Sequence, residues 1–172
     1  MKKLSLKDFD IAFTGLKLGE HRFDYQLTNE FFSLFEYDDF LASGLRADVS
    51  LTKKENRLEW HFQIRGTVQV PCDVTNESFD MPLEHDMELV VKFGEEYDDT
   101  RDEILILPSG EHRMNIAHYL YETAVLAVPL KRVSEEGLAR QEAEKSLKSS
   151  SKENDENSEI DPRWNKLKDL LS

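Results

Sequence analysis

One cysteine and five histidines are the residues of this chain best suited to catalysis or metal binding. A thiolate acts as a nucleophile when a histidine elsewhere in the fold accepts its proton, and both residue types bind zinc. Cys72 lies between Val70 and Val74 in an alternating pattern, which indicates a buried, unreactive thiol. The histidines lack HExxH or CxxC spacing, so no metal and no cofactor are predicted; they are His21, His61, His85, His112 and His118.

Two of these histidines are predicted to have ordinary surface roles. His61 falls on the outer face of its strand, beside Glu59 and Gln63, and His118 can pair with Glu122 one helical turn later. The sequence also lacks a glycine-rich phosphate loop and a nucleophile elbow. We therefore expect a protein that is not an enzyme and that works by binding.

Basic residues offer a second kind of chemistry, the binding of phosphate groups. If they met in the fold, they would form one RNA-facing patch, but scattered surface positions are the simpler interpretation. Of this set, Arg113, Lys131 and Arg132 are predicted partner-binding residues. The full set is Lys2, Lys3, Lys7, Arg101, His112, Arg113, Lys131 and Arg132.

The last twelve residues, 161–172, predict a short amphipathic helix. Asp161 and Pro162 form a helix start signal, with a capping residue followed by proline in the first turn. An apolar stripe costs solubility unless it packs on something, so this helix docks either on its own domain or on another protein. The predicted contact residues are Arg163, Trp164, Leu167 and Leu171.

Charge and composition restrict the class of protein. The chain has 22 Lys and Arg against 35 Asp and Glu, a net charge of −13, so naked RNA or DNA should be repelled overall. No stretch is apolar enough to span a bilayer, and the basic start of the chain lacks the apolar core of a signal peptide. A single cysteine suits a reducing compartment. These features predict a cytoplasmic protein without membrane or DNA partners.

Alternating apolar residues predict a strand-rich core over residues 1–133. Leu45 to Leu51 and Leu58 to Ile64 form a hairpin around the polar turn at residues 53–56, and Phe23 to Leu27 forms an earlier strand. The alternation resumes from Val68 to Val74, from Phe79 to Leu83 and from Met87 to Phe93. We predict an α+β fold with antiparallel strands in a curved sheet or a partly open barrel.

Helical spacing appears in only two places within residues 1–133. A short helix is predicted after Thr28, and one main helix over residues 115–128 should cover the sheet, with Asn115 as its cap and Pro129 at its end. Residues 134–160 lose apolar content and are predicted to be a flexible, largely disordered acidic linker, apart from a frayed helix at its start. Residues 161–172 are the C-terminal amphipathic motif.

Three motifs together resemble the YceD family, the large ribosomal RNA subunit accumulation proteins. The segment VQVPCDVTNESFDMPLE is similar to the family's strand with a Cys-x-x-Cys element, and NIAHYLYETAVLAVPLKRV resembles its helix with a central glutamate and a proline exit. The tail DPRWNKLKDLL resembles its C-terminal element. The matching positions are Cys72, Glu122, Pro129, Asp161 and Pro162.

This resemblance implies a factor that acts in ribosome assembly and supports the accumulation of large-subunit ribosomal RNA, without catalysis. Thr75 stands where the family's second cysteine would be, and the later cysteine cluster of some members is absent, so no metal site is carried over. The implied partner is a ribosomal protein or a large-subunit assembly intermediate, with RNA contacted indirectly or through a local basic patch. The alternative is an acidic adaptor or chaperone-like binder of basic ribosomal proteins, without direct RNA contact.

Overall fold

The computed structural model describes residues 4–152, the last four of them by their backbone alone. The chain divides after Arg132 into two compact units. The elements in order are a 3₁₀ turn Leu6–Phe9, β1 Asp10–Ile11, β2 Gly19–Leu27, α1 Asn29–Ser33, β3 Ala42–Lys53, β4 Arg57–Pro71, β5 Ser78–Gly94, β6 Asp98–Arg101, β7 Ile104–Pro108, β8 Met114–Asn115, α2 Ala117–Leu126 and α3 Glu135–Lys152.

Six strands form the main sheet of the first unit, in the order β2-β3-β4-β5-β7-β6. Strands β2 to β5 are antiparallel, whereas β7 runs parallel to β5, which alternation alone did not predict. Among the described residues β2 and β6 are the two edges, so the sheet does not close into a barrel. The prediction of a strand-rich, mostly antiparallel sheet is confirmed. Strands β1 and β8 pair separately.

The predicted hairpin forms the centre of the sheet. Leu51 faces Trp60, and Val49 faces Phe62 across β3 and β4, with all four side chains buried. Because strand side chains alternate between faces, the neighbouring polar residues lie on the opposite, outer face. One face of the sheet therefore supplies the core, and the other faces solvent.

Two strand boundaries differ from the prediction. Strand β4 ends at Pro71, so Cys72 and Val74 lie in the following turn and not in the strand. The two apolar runs from Phe79 to Phe93 belong to one 17-residue strand, β5, and Pro82 does not interrupt it. Proline is tolerated where a strand has a free edge, because its missing N–H would not be used there.

Helix α2 covers the inner face of the sheet at β4 and β5. The ring of Tyr119 stacks on Phe62 with centroids 5.9 Å apart, and Thr123 Oγ1 lies 3.9 Å from Met87 Sδ. The helix is shorter than predicted, because it starts at Ala117, whose N–H donates to Asn115 Oδ1 at 3.0 Å. The N-cap residue is Ile116 and not Asn115 as predicted, but the Asn115 side chain still accepts the first N–H of the helix.

Helix α3 belongs to the second unit and spans 18 residues of the segment predicted to be a largely disordered linker. Ser134 begins it: Gly137 N–H donates to Ser134 Oγ at 3.1 Å, and Leu138 N–H donates to Ser134 O at 2.9 Å. Its Glu, Ala, Lys, Leu and Arg residues are good helix formers, which low apolar content does not reveal. Residues 153–172 lie outside the described residues. No helix in the described part of the chain is long and apolar enough to cross a membrane.

Candidate partner-binding site

The turn after β4, residues 72–77, is here called the Cys72 turn. Cys72 N–H donates to Glu77 O at 2.8 Å, and Asn76 N–H donates to Cys72 O at 2.9 Å. Asn76 takes a φ of 59°, a left-handed conformation that asparagine tolerates well. Thr75, which stands where the family's second cysteine would be, accepts the Glu77 N–H through Oγ1 at 3.3 Å. A hydroxyl therefore takes part in closing this turn.

The Cys72 turn is joined to the residues that follow α2, here called the exit segment, residues 127–132. Asp73 N–H donates to Arg132 O at 2.7 Å, and Arg132 N–H donates to Asp73 Oδ2 at 2.8 Å. These reciprocal bonds hold the two segments side by side. Two of the three motifs that carried the family resemblance are thus in contact.

The Arg132 side chain extends this junction to the loop before β3. Its Nε lies 3.9 Å from Asp73 Oδ1, and its Nη1 lies 3.9 Å from Asp39 Oδ2. Beside it, Tyr37 packs its ring against Phe40 and Tyr121, with centroids 5.0 and 5.7 Å away. Burial, followed by the negative charge of Asp39, raises the pKa of Tyr37 to about 12. This phenol therefore stays protonated and neutral at physiological pH.

The middle of the exit segment is held away from the core. Pro129, Leu130 and Lys131 are all exposed, and the Leu130 side chain has a relative exposure of 104%. A fully exposed leucine beside a lysine, fixed at one end by Arg132, forms a small surface suited to contact another macromolecule. Of the predicted binding residues, Lys131 is presented to solvent, whereas Arg132 serves as the anchor.

The remaining predicted positions are distributed elsewhere. Arg113 is exposed and precedes α2, so a ten-residue helix of roughly 15 Å separates it from Lys131. His118 Nε2 lies 3.0 Å from Glu122 Oε1, one helical turn away, as predicted. Because α2 lies between them, Arg113 and the exit segment do not come together in the structure. Asp161, Pro162, Arg163, Trp164, Leu167 and Leu171 lie outside the described residues.

Three residues of the junction, Tyr37, Asp39 and Asp73, were not predicted from the sequence. The only signal for Asp73 was its place directly after Cys72. Asp39 and Tyr37 lie far from the exit segment along the chain, so their contact depends on the fold. Cys72 itself is 2% exposed, and a buried thiol is poorly placed to reach a substrate. Among the described residues, no group of His, Cys, Asp and Glu could hold a metal ion.

Both segments of the junction lie within a region that matches a known family. The family model described as "Large ribosomal RNA subunit accumulation protein YceD" matches residues 60–171. The chain belongs to the YceD family. The match begins within β4 and includes β5 and α2 together with both segments of the junction. Comparison with curated proteins and with solved structures finds no match.

The YceD family name refers to large ribosomal RNA subunit accumulation, which is the general role that the resemblance implied. The match also covers Asp161, Pro162 and the tail residues named above, so the third motif belongs to the same family region. The first three strands and α1 precede the match. The YceD region therefore comprises four of the six strands of the main sheet, β4 to β7, with the covering helix and the chain that follows.

Proposed function

We propose that this YceD-family chain is a non-catalytic ribosome-assembly factor that promotes accumulation or maturation of large-subunit ribosomal RNA in the cytoplasm. The match over residues 60–171 carries the proposal. The exposed Leu130 and Lys131, held in place by the Asp73–Arg132 bonds, support a binding role, because a fixed surface loses less conformational entropy on binding. The partner is a ribosomal protein or a large-subunit assembly intermediate.

Depletion of the protein tests this function directly. The amount of large-subunit ribosomal RNA should fall relative to small-subunit RNA, and re-expression of the full chain should restore the ratio. A Leu130→Ser, Lys131→Glu variant should restore it less well, since both changes lie on the exposed part of the exit segment. An unchanged RNA ratio in depleted cells would remove the main support for the proposal.

A second candidate function is an acidic adaptor that binds basic ribosomal proteins without touching RNA. The net charge of −13 favours it, because a negative surface repels RNA and accelerates encounters with basic proteins. Affinity capture from a nuclease-treated lysate separates the two candidates. Capture of basic ribosomal proteins that survives nuclease treatment favours the adaptor, whereas its loss after nuclease shows that RNA is needed.

A further inference from the structure

Strand β5 has a free edge along much of its length. It pairs with β4 from Ser78 onwards, but it pairs with β7 only from Val90 to Gly94. Val90 N–H donates to Glu103 O at 2.9 Å, and Ser109 N–H donates to Gly94 O at 3.0 Å. The main-chain groups of the even-numbered residues of β5 therefore face β7.

Along a strand, the main-chain N–H and C=O groups of successive residues point to alternate sides. Glu84, Asp86 and Glu88 therefore direct these groups toward the same side of β5 as Val90, the side where β7 lies. Strand β7 begins only at Ile104, opposite Val90, and does not reach these residues. Within residues 4–152 no other strand pairs with this part of β5. Such a row of unpaired donors and acceptors is a template for an additional strand.

The side chains of the same three residues lie on the outer face of the sheet. They face Arg65, Gln63 and His61 of β4, in that order, and all three carboxylates are exposed. A strand added next to them would place every second side chain beside a row of negative charge. Lys or Arg is favoured at those positions, because cross-strand pairs of opposite charge stabilise a sheet.

Apart from His85, the inner-face side chains of β5 between Leu83 and Leu89 are apolar. A groove of about 510 Å³ lies between α2 and the strands β5 to β7. Met87 and Leu89 of β5 and Val125 and Leu126 of α2 line it, and the Leu126 side chain is 67% exposed. The remaining side chains of an added strand would enter this groove, where apolar residues are favoured. The groove is also lined by three acidic residues and one basic residue, so its charge is negative overall; these are Asp99, Asp102, Glu122 and Arg101.

Two features restrict what can occupy the edge. A second copy of this chain would bring a matching row of carboxylates against the first, and like charges on neighbouring strands repel. Pro82 lies two residues before Glu84, so its main-chain nitrogen points to the same free edge. Because proline lacks an N–H, this position offers no donor there. The usable edge therefore runs from Leu83 to Leu89 and favours a partner of opposite charge.

We propose that an extended segment of a basic protein, in which Lys or Arg alternates with apolar residues, adds as a strand to β5 between Leu83 and Leu89. Its basic side chains lie beside Glu84, Asp86 and Glu88, and its apolar side chains enter the groove under α2. The proposal rests on the proposed function, because it names the kind of ribosomal protein segment that such a factor would hold.

The test uses the full chain and synthetic peptides. A peptide of alternating Lys and Val should bind at least about tenfold more tightly than one with the same residues in two blocks, and an alternating Glu and Val peptide should not bind. Amide exchange measured by NMR should slow at Glu84, Asp86 and Glu88 in the peptide-saturated protein. Unchanged exchange at these three amides overturns the proposal, even where a peptide binds.

Variants distinguish the contribution of main-chain hydrogen bonds to peptide binding from the contribution of the negative charges. Asp86→Pro removes one edge N–H and should weaken peptide binding about tenfold, whereas Asp86→Ala keeps the N–H and should weaken it less. The pair Glu84→Gln, Glu88→Gln should weaken binding more than the matched pair Glu20→Gln, Asp24→Asn on the opposite edge strand β2. Equal effects of the two pairs, or wild-type binding by a folded Asp86→Pro protein, would contradict the proposal.

Two further outcomes distinguish this proposal from others. A single-stranded RNA could compete with the peptide without slowing exchange at the amides of Glu84, Asp86 and Glu88. Displacement of the peptide by such an RNA would overturn the strand proposal in favour of an RNA site. In depleted cells, full restoration of the RNA ratio by Asp86→Pro would overturn the strand site and leave the assembly function intact. If the wild-type chain fails to restore the ratio, the proposed assembly function is wrong. The amide-exchange measurement then still tests whether a peptide adds as a strand to β5.

Discussion

Asp73 links two segments of the candidate site through two hydrogen bonds, one from its main-chain N–H and one to its carboxylate. Replacement by alanine removes the carboxylate that accepts the Arg132 N–H, so the exit segment loses one of its two bonds to the Cys72 turn. Asp73→Ala should lower the free energy of unfolding by about 1 kcal/mol, since the site is partly exposed. The midpoint of urea denaturation measures this change.

Asp73→Asn is the matched control, because its side-chain oxygen still accepts the Arg132 N–H while the charge is lost. The two ion-pair distances around Arg132 are both 3.9 Å, and such exposed pairs contribute little. Asn should therefore retain most of the stability that Ala loses. Equal destabilisation by both substitutions would mean that the charge, and not the hydrogen bond, joins the segments.

Tyr37 provides a prediction about pH. Burial and the neighbouring Asp39 raise its pKa from 10.0 to about 12 in the folded protein. A raised folded-state pKa means that this contribution to stability is complete below pH 10 and is lost as the pH rises toward 12. Burial also raises the pKa of Tyr119, so ultraviolet titration of tyrosinate should show more than one late-titrating group, and Tyr37→Phe should remove one of them. A titration curve without that loss would contradict the assignment.

At the scale of elements, the contact between β3 and β4 depends on a glycine. Gly66 has a φ of 147°, and a Cβ at this position would overlap the Gly44 carbonyl oxygen and lie 2.9 Å from Leu45 Cα. Both neighbours are backbone atoms and cannot rotate away. Gly66→Ala should therefore lower the free energy of unfolding by about 2–4 kcal/mol, measured by denaturant titration.

Gly15→Ala is the control for this substitution. A Cβ at Gly15 would have no neighbour within 4 Å. The change should therefore stay within about 0.5 kcal/mol of the wild type. If the two alanine variants were equally stable, the β3–β4 contact would have more room than the structure shows.

At the scale of the whole molecule, the tail gives a prediction that depends on the family region. Deletion of residues 161–172 removes Trp164, Leu167 and Leu171, which we propose to contact a partner. The truncated chain should capture less of that partner from a lysate, with the melting temperature measured in parallel. Capture equal to that of the full chain would exclude the tail as a contact, and a lower melting temperature would instead indicate that the tail stabilises its own chain.

Local patterns were sufficient to predict several elements. The alternation in the hairpin determined which side chains of β3 and β4 are buried, because strand side chains alternate whatever their neighbours are. The pair His118 and Glu122 was predictable for a similar reason, since helical residues four apart share one face. Helix α3 was predicted only as a frayed helix at the start of the linker, because its exposed residues lack an apolar stripe, although their helix propensity is high.

Composition and local patterns were enough to predict the strand-rich core, the acidic character and, through three motifs, the YceD family. The parallel pairing of β7 with β5, which leaves Glu84 to Glu88 at a free edge, is seen only in the folded chain. The same is true of the contact between Asp73 and Arg132, which are 59 residues apart. The physical reason is that alternation and helical spacing are local properties, whereas strand order and contacts between distant segments depend on how the whole chain buries its apolar surface.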